Sequence, residues 1–166
     1  IKTIVLPAAP VKLSATVAGA PARADNLPIL QIERIDGAPL EVARATNGLY
    51  EGLLGAGRYR IKASIDKHGA AASTEITVEA GKPLVHVLDI DAGEVTLKSL
   101  ADATGGVFWE VRDAAGAPVW HATAVQPRVL LTPGRYSVRL DSKDSELEAA
   151  FSIQGGESKT VELGAR

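Results

Sequence analysis

The chain of 166 residues contains no cysteine and no methionine. The absence of cysteine excludes disulfide bonds, thiolate nucleophiles and cysteine-ligated metals. It does not identify a compartment, because a disulfide-free envelope protein and a cytosolic protein would share this composition. Because the chain starts at Ile1 and has no methionine, we expect it to be a processed product or a piece of a longer protein.

Long apolar runs and runs of like charge are also missing. No stretch of about eighteen consecutive apolar residues occurs, so we expect no membrane insertion. No basic start followed by an apolar core marks a signal peptide. The net charge is -2 and the pI is near 5.9, with lysine and arginine scattered along the chain. This balance gives no bias toward nucleic acid, and we expect no nucleic-acid partner.

A short sequence pattern occurs twice. "GAGRYRIKA" at residues 55–63 and "LTPGRYSVRL" at residues 131–140 both alternate polar and apolar residues after a glycine. Strict alternation predicts a half-buried β-strand in each place. Pro133 and Gly134 suit the centre of a type II turn, in which the glycine takes a positive φ.

Other landmarks recur in the same order, among them "DGAPL" at residues 36–40 and "AGAPV" at residues 115–119. A spacing of about 80 residues is too long for solenoid repeats, whose units run about 20–50 residues. The repeat therefore predicts two tandem domains, residues 1–92 and 93–166. We expect residues 1–9 to be, or to mimic, the last strand of a preceding repeat, because they resemble the junction between the two domains.

The sequence pattern of each predicted domain is typical of an all-β fold. Short alternating segments are separated by turn residues about every ten positions, and no segment shows a convincing helical spacing. Seven such strands per domain are typical of a Greek-key sandwich. The predicted fold is thus all-β, with two tandem seven-stranded Greek-key β-sandwich domains of the Ig-like or prealbumin-like kind.

The segments "NGLYEGLLGAGRYRIKA" (47–63) and "TEITVEAGKPLVHVLDI" (74–90) carry a family resemblance. The chain resembles the carboxypeptidase regulatory-like, or Cna-B-like, β-sandwiches. The resemblance implies extracytoplasmic domains, in the periplasm or on the cell surface, that occur in tandem in bacterial envelope proteins. It implies a non-catalytic role as a structural spacer or interaction module.

The resemblance leaves a second role open, a carbohydrate- or protein-binding accessory module that uses an exposed aromatic residue or a loop surface. In either role the expected partner is an envelope protein or a glycan. The oligomeric state stays open, with a monomer as the expectation. No G-x-S-x-G motif or other catalytic pattern occurs, and we expect no enzymatic activity.

The aromatic residues give the clearest individual positions. Trp109 alternates with valines and is predicted in a core. Trp120, beside His121, fits either a second core position or an exposed platform for a sugar ring or partner protein. Trp120 and His121 are therefore the candidate ligand-binding residues. Tyr59 and Tyr136 start their strands, and their hydroxyls are expected to bond back to nearby backbone, as in a tyrosine corner.

Acidic residues cluster in "DIDAGE" at residues 89–94, at the predicted junction between domains. Asp89, Asp91 and Glu94 supply the oxygen ligands that calcium prefers, and a calcium ion there would stiffen the joint. The same residues are also ordinary in turns, and no D-x-D-x-D-G loop is present. Histidines occur without zinc-ligand spacing, so we expect no cofactor other than this candidate calcium.

Overall fold

The computed structural model describes residues 7–66, 68–100, 107–143 and 145–164. These residues form β-strands, turns and irregular segments, and the chain is all-β. No helix of the length and apolar character needed to cross a bilayer occurs within these ranges. Backbone contacts divide the chain into two compact units, residues 1–66 with 71–90 and residues 67–70 with 91–166. The sequence places the division after residue 92.

The described residues of the first unit form eight strands. They are β1 (Ala8–Val17), β2 (Ala20–Pro21), β3 (Pro28–Arg34), β4 (Leu40–Ala45), β5 (Leu49–Gly55), β6 (Gly57–Ile65), β7 (Ala71–Val78) and β8 (Leu84–Ile90). The second unit contains seven: β9 (Gly93–Ser99), β10 (Phe108–Asp113), β11 (Pro118–Thr123), β12 (Arg128–Leu131), β13 (Gly134–Asp141), β14 (Glu146–Ile153) and β15 (Ser158–Leu163).

Each unit is built from two sheets with the same strand order. In the first unit β1 lies between β5, which is antiparallel to it, and β8, which is parallel. The other sheet has the order β4-β3-β6-β7. In the second unit β9 lies between antiparallel β12 and parallel β15, and the other sheet has the order β11-β10-β13-β14. The short strand β2, which pairs with the end of β1, has no counterpart among the described residues of the second unit.

This strand order can be compared with that of immunoglobulin domains. When the seven main strands are lettered A to G in chain order, the sheets of each unit are DAG and CBEF. Immunoglobulin constant domains instead have ABED and CFG. The units are therefore β-sandwiches with a different distribution of strands between the two sheets.

Both sheets of each unit contribute side chains to one core, as alternation along the strands requires. In the second unit Trp109 is fully buried at the centre of this core, as the sequence predicts. Its Nε1 donates a hydrogen bond to the carbonyl oxygen of Ala124, 2.9 Å away. In the first unit both sheets contribute buried aliphatic residues, and the buried side chains also include that of Tyr59. Among them are Val11, Leu13, Ile90, Leu30, Ile32, Ile61 and Val78.

Ala8 and Ala9 pair with β5 as the first residues of β1, so these two residues are part of the first strand of the first unit. Residues 1–6 lie outside the described residues, and the interpretation of residues 1–9 stays a prediction. The turn predicted at Pro133 and Gly134 is wrong. Gly134 is the first residue of β13 and has no positive φ, so Pro133 and Gly134 do not form a type II turn. Gly134 pairs with Ile153 in the β13–β14 ladder, which requires extended backbone.

Candidate functional site

Trp120 does not form an exposed platform, and that half of the prediction is wrong. Its side chain is 9% exposed and packs in the core of the second unit, where it lies opposite Val111 across β10 and β11. The strand β11 carries Val119 on its outer face and Trp120 on its inner face. Because both faces of this strand hold an apolar residue, the alternation alone could not decide which face is buried.

His121 lies on the outer face of the second unit, as an exposed side chain. Its ring centroid lies 5.9 Å from that of Phe108, with an angle of 31° between the ring planes. Phe108 is 38% exposed and comes from the neighbouring strand β10. The Phe108–His121 pair is therefore an aromatic surface, in which Phe108 and not Trp120 is the exposed aromatic residue beside His121.

Asp89 lies in β8 of the first unit, and its carboxylate accepts hydrogen bonds from residues of the same unit. Its Oδ1 accepts hydrogen bonds from Thr16 Oγ1 at 2.6 Å and from the Gly19 amide at 2.8 Å. Ala18 and Gly19 have φ values of 50° and 74°, as expected for a tight hairpin turn with two left-handed residues. The carboxylate thus holds the β1–β2 hairpin against β8.

The other two candidate calcium ligands belong to the second unit. The carboxylate of Asp91 lies where a side chain at Gly155 would project. Glu94 Oε1 lies 3.9 Å from Arg128 Nη1. Within the described ranges, no group of three or more histidine, aspartate or glutamate side chains is placed to hold a metal ion. Calcium at Asp89, Asp91 and Glu94 stays a prediction.

Strand β6 carries the basic residues Arg58, Arg60 and Lys62 on its outer face, and they are paired with carboxylates. Glu75 in β7 accepts hydrogen bonds from Arg60 at 3.0 Å and from Arg58 at 3.3 Å. The bond from Arg60, and after it the bond from Arg58, holds the pKa of Glu75 below its usual value. Lys62 lies 2.8 Å from Glu33. The face of this sheet is therefore a network of ion pairs.

The sequence reasoning missed an exposed apolar surface on the first unit. The outer face of the sheet β5-β1-β8, which we call the apolar face, carries Pro10, Leu49, Leu53, Val85 and Val87. Leu53 is 71% exposed and Val85 is 70% exposed. A groove of about 500 Å³ runs across this face. Among the described residues, the charged side chains that line this groove are Lys12 and Glu51, whose Nζ and Oε1 lie 2.9 Å apart, so the groove carries no net charge.

The corresponding face of the second unit is polar. Strands β9, β12 and β15 present there the residues Glu94, Thr96, Lys98, Arg128, Thr160 and Glu162. Lys98 Nζ lies 3.4 Å from Glu162 Oε1. The signal in the sequence was "LVHVLDI" at residues 84–90, an apolar run in which both faces of a strand are hydrophobic. Such a run is usual for a strand that is buried on both faces. The exposure of Val85 and Val87 could therefore not be predicted from the sequence.

No protein-family model matches the chain, and no curated protein matches it. Among solved structures, it is similar to the minor pilin of Streptococcus agalactiae, with 14% identity and a TM-score of 0.45 over 93% of this chain and 95% of the pilin. It is also similar to a streptococcal ancillary pilin, with 15% identity and a TM-score of 0.46 over 96% of this chain and 63% of that one. The chain is also similar to the TIE protein of Bacillus anthracis, with 15% identity and a TM-score of 0.39 over 95% of this chain and 34% of that protein. The chain thus spans about a third of the TIE protein.

Proposed function

We propose that the chain is a non-catalytic structural or interaction module of a larger bacterial extracytoplasmic protein. The observation that carries the proposal is the recurrence of one strand order in two consecutive compact units. The last strand of the first unit ends at Ile90 and the first strand of the second begins at Gly93. Units that each have their own core and follow one another so directly suit a role in extending a protein or presenting surfaces.

The sequence resemblance supports a finer version of the proposal. Carboxypeptidase regulatory-like domains are tandem repeats of the prealbumin-like or Ig-like kind, and they occur in bacterial envelope proteins. The DAG and CBEF sheets differ from the order in immunoglobulin constant domains, which favours the prealbumin-like alternative. In this version the two units are tandem repeats located in the periplasm or on the cell surface.

A second candidate function is recognition of a glycan or an envelope protein through the second unit. The Phe108–His121 pair favours it, because exposed aromatic rings offer flat apolar surfaces with polar atoms at the edge. In this role His121 keeps the binding function that the sequence assigns to it, and Phe108 replaces Trp120.

The test of the proposal is the location of the parent protein. An antibody against the purified chain is applied to fractions of cells that produce the parent protein. We expect the signal in the periplasm, the envelope or the cell surface. A signal confined to the cytosol would overturn the proposal.

A binding measurement then separates the two roles. The immobilised chain is offered peptidoglycan, lipopolysaccharide, outer-membrane protein and capsule. Saturable binding that Phe108→Ala abolishes, with an unchanged melting temperature, assigns recognition to the Phe108–His121 pair. Absence of binding to all four fractions by the folded chain assigns the spacer role and rejects recognition.

A further inference from the structure

The strand β5 forms one edge of its sheet, and Leu53 is the most exposed large hydrophobic residue of that edge. The Ala15 amide donates to the Gly48 carbonyl oxygen at 2.9 Å, which fixes the alternation of hydrogen bonds along β1 and β5. In this alternation Leu53 and Pro10 form a non-hydrogen-bonded pair. The N–H and C=O of Leu53 therefore point away from β1, and Pro10, which has no N–H, fits this position.

The edge at Leu53 is open in the part of the chain that the structure describes. No hydrogen bond from these residues reaches the N–H or C=O of Leu53. The Leu53 side chain lines the groove of the apolar face, together with Pro10 and Val85. An edge with unpaired backbone groups beside an apolar groove is the arrangement to which an added polypeptide segment binds.

The corresponding residue of the second unit, Leu130 in β12, lies at an edge of the same geometry. The Leu97 amide donates to the Pro127 carbonyl oxygen at 3.0 Å, so the pair of Leu130 with Glu94 is again non-hydrogen-bonded. The N–H and C=O of Leu130 point outward as those of Leu53 do. The side chain of Leu130, however, is only 7% exposed.

The backbone groups of Leu130 are both occupied within the second unit. Its N–H donates to Nδ1 of His68 at 2.8 Å, and its C=O accepts from the Gly69 amide at 3.0 Å. A Cβ at position 69 would lie 2.8 Å from Cδ2 of the fully buried Leu131, so a larger residue there would have to displace that methyl group. In the second unit, therefore, a side-chain hydrogen-bond acceptor followed by a glycine pairs with the outward N–H and C=O of this edge.

We propose that the β5 edge at Leu53 is a docking site for a turn of a partner polypeptide. The turn places a side-chain hydrogen-bond acceptor opposite the Leu53 N–H and a glycine N–H opposite the Leu53 C=O. The glycine fits because Leu54, like Leu131 in the second unit, is buried next to the edge. This inference rests on the proposed interaction role and names the surface that performs it. The groove adds apolar contact, and because its charged side chains Lys12 and Glu51 balance each other, binding depends little on salt.

The test uses a backbone-cyclised peptide with the sequence of residues 64–72, which contains His68 and Gly69. The peptide is titrated into the full ¹⁵N-labelled chain, and amide chemical shifts are recorded. We expect saturable shifts centred on Leu53 and its neighbours in β5. The matched control peptide carries Gly69→Val, and its affinity is expected to fall at least tenfold.

A second arm changes the protein. Leu53→Pro removes the outward N–H, which contributes no bond to the β1 ladder, and it also removes the leucine side chain. Prolines are tolerated at such edge positions. Leu53→Pro is expected to abolish peptide binding, while Leu53→Ala, which keeps the N–H, still binds. If Leu53→Pro does not fold, as its amide spectrum would show, the comparison of the two peptides decides the question.

Four results would overturn the inference, and the first three concern the peptide. These three are the absence of shifts at millimolar peptide, equal binding of the two peptides, and shifts centred away from β5. Self-association of the chain without peptide, if Leu53→Pro abolished it, would also overturn it by assigning the edge to a second copy. Failure of peptide binding in an envelope-located protein rejects the docking site alone, whereas a cytosolic location rejects the proposed function.

Discussion

The hydroxyl of Tyr136 donates a hydrogen bond to the carbonyl oxygen of Thr132, 2.5 Å away. The first unit contains the same bond, from the hydroxyl of Tyr59 to the carbonyl oxygen of Gly55 at 2.7 Å. In each unit a tyrosine near the start of a central strand bonds back to the segment that leads into it. These bonds confirm the role that the sequence predicts for both tyrosines.

We expect Tyr136→Phe to lower the free energy of unfolding by about 0.5–1.5 kcal/mol, because it leaves the Thr132 carbonyl without this donor. Urea denaturation at neutral pH measures the loss. The phenylalanine ring keeps the contact with Phe151, whose ring centroid lies 5.7 Å from that of Tyr136. An unchanged free energy of unfolding would show that the bond contributes nothing.

The same tyrosine predicts a dependence on alkaline pH. Burial, and after it the charge of Asp113, raises the pKa of Tyr136 above its usual value. The folded state therefore retains the proton more strongly than the unfolded state. The stability that this provides is complete below about pH 10 and is lost as the pH rises through the folded pKa. The wild type should thus lose more stability than Tyr136→Phe between pH 9 and pH 11. Equal losses would contradict this.

Gly57→Ala should destabilise the first unit by about 1–3 kcal/mol. Gly57 has a φ of 153°, and a Cβ there would collide with the carboxylate of Asp36 and the guanidinium of Arg34. That carboxylate also accepts the Arg58 amide at 2.8 Å, so it cannot move away freely.

Gly134→Ala is the matched control, because Gly134 is the repeat counterpart of Gly57. A Cβ at Gly134 would meet only the ring of Tyr136, at an ordinary 3.5 Å. Thermal melts of the two variants should differ clearly, with the larger loss for Gly57→Ala. Equal melting temperatures would contradict the assigned collision.

Trp120→Ala should cost about 3–5 kcal/mol of unfolding free energy, because it empties a large volume in the core of the second unit. His121→Ala, one residue further, should change it by less than about 0.5 kcal/mol. Urea denaturation of both variants measures the contrast. A mild effect of Trp120→Ala together with lost ligand binding would restore the exposed-platform hypothesis.

Asp89→Ala should lower the stability of the first unit by about 1.5–3 kcal/mol, since two hydrogen bonds to a charged group are lost. The melts are performed with a chelator present, because the bonds to Thr16 and Gly19 need no ion. Thr16→Val, which removes one of the two donors, should have the smaller effect. If calcium binds as the sequence predicts, millimolar calcium should raise the wild-type melting temperature, and an unchanged value would reject it.

The fold followed from the sequence wherever one face of a strand was clearly polar. Arg58, Arg60 and Lys62 alternate with Tyr59 and Ile61, so the buried face of β6 was evident. The same alternation located the buried Trp109. It failed for Trp120 and Val85, because their strands carry apolar residues on both faces.

Features that depend on other segments could not be predicted from local pattern. The exposure of Leu53 depends on what covers the edge of β5, and its counterpart Leu130 has a similar sequence context but is buried. The role of Asp89 depends on Thr16 and Gly19, which are distant in sequence. Such relations become visible only when the register of the strands is known.

Hydrogen exchange at Leu53 and Leu130 tests most directly whether the first unit carries an open edge that the second unit has closed. The Leu130 amide donates to His68 and should exchange slowly, with protection that follows local or global opening. The Leu53 amide should exchange at nearly the rate of an unstructured peptide. Comparable protection of the two amides in the isolated chain would contradict the open edge and, with it, the docking site at β5.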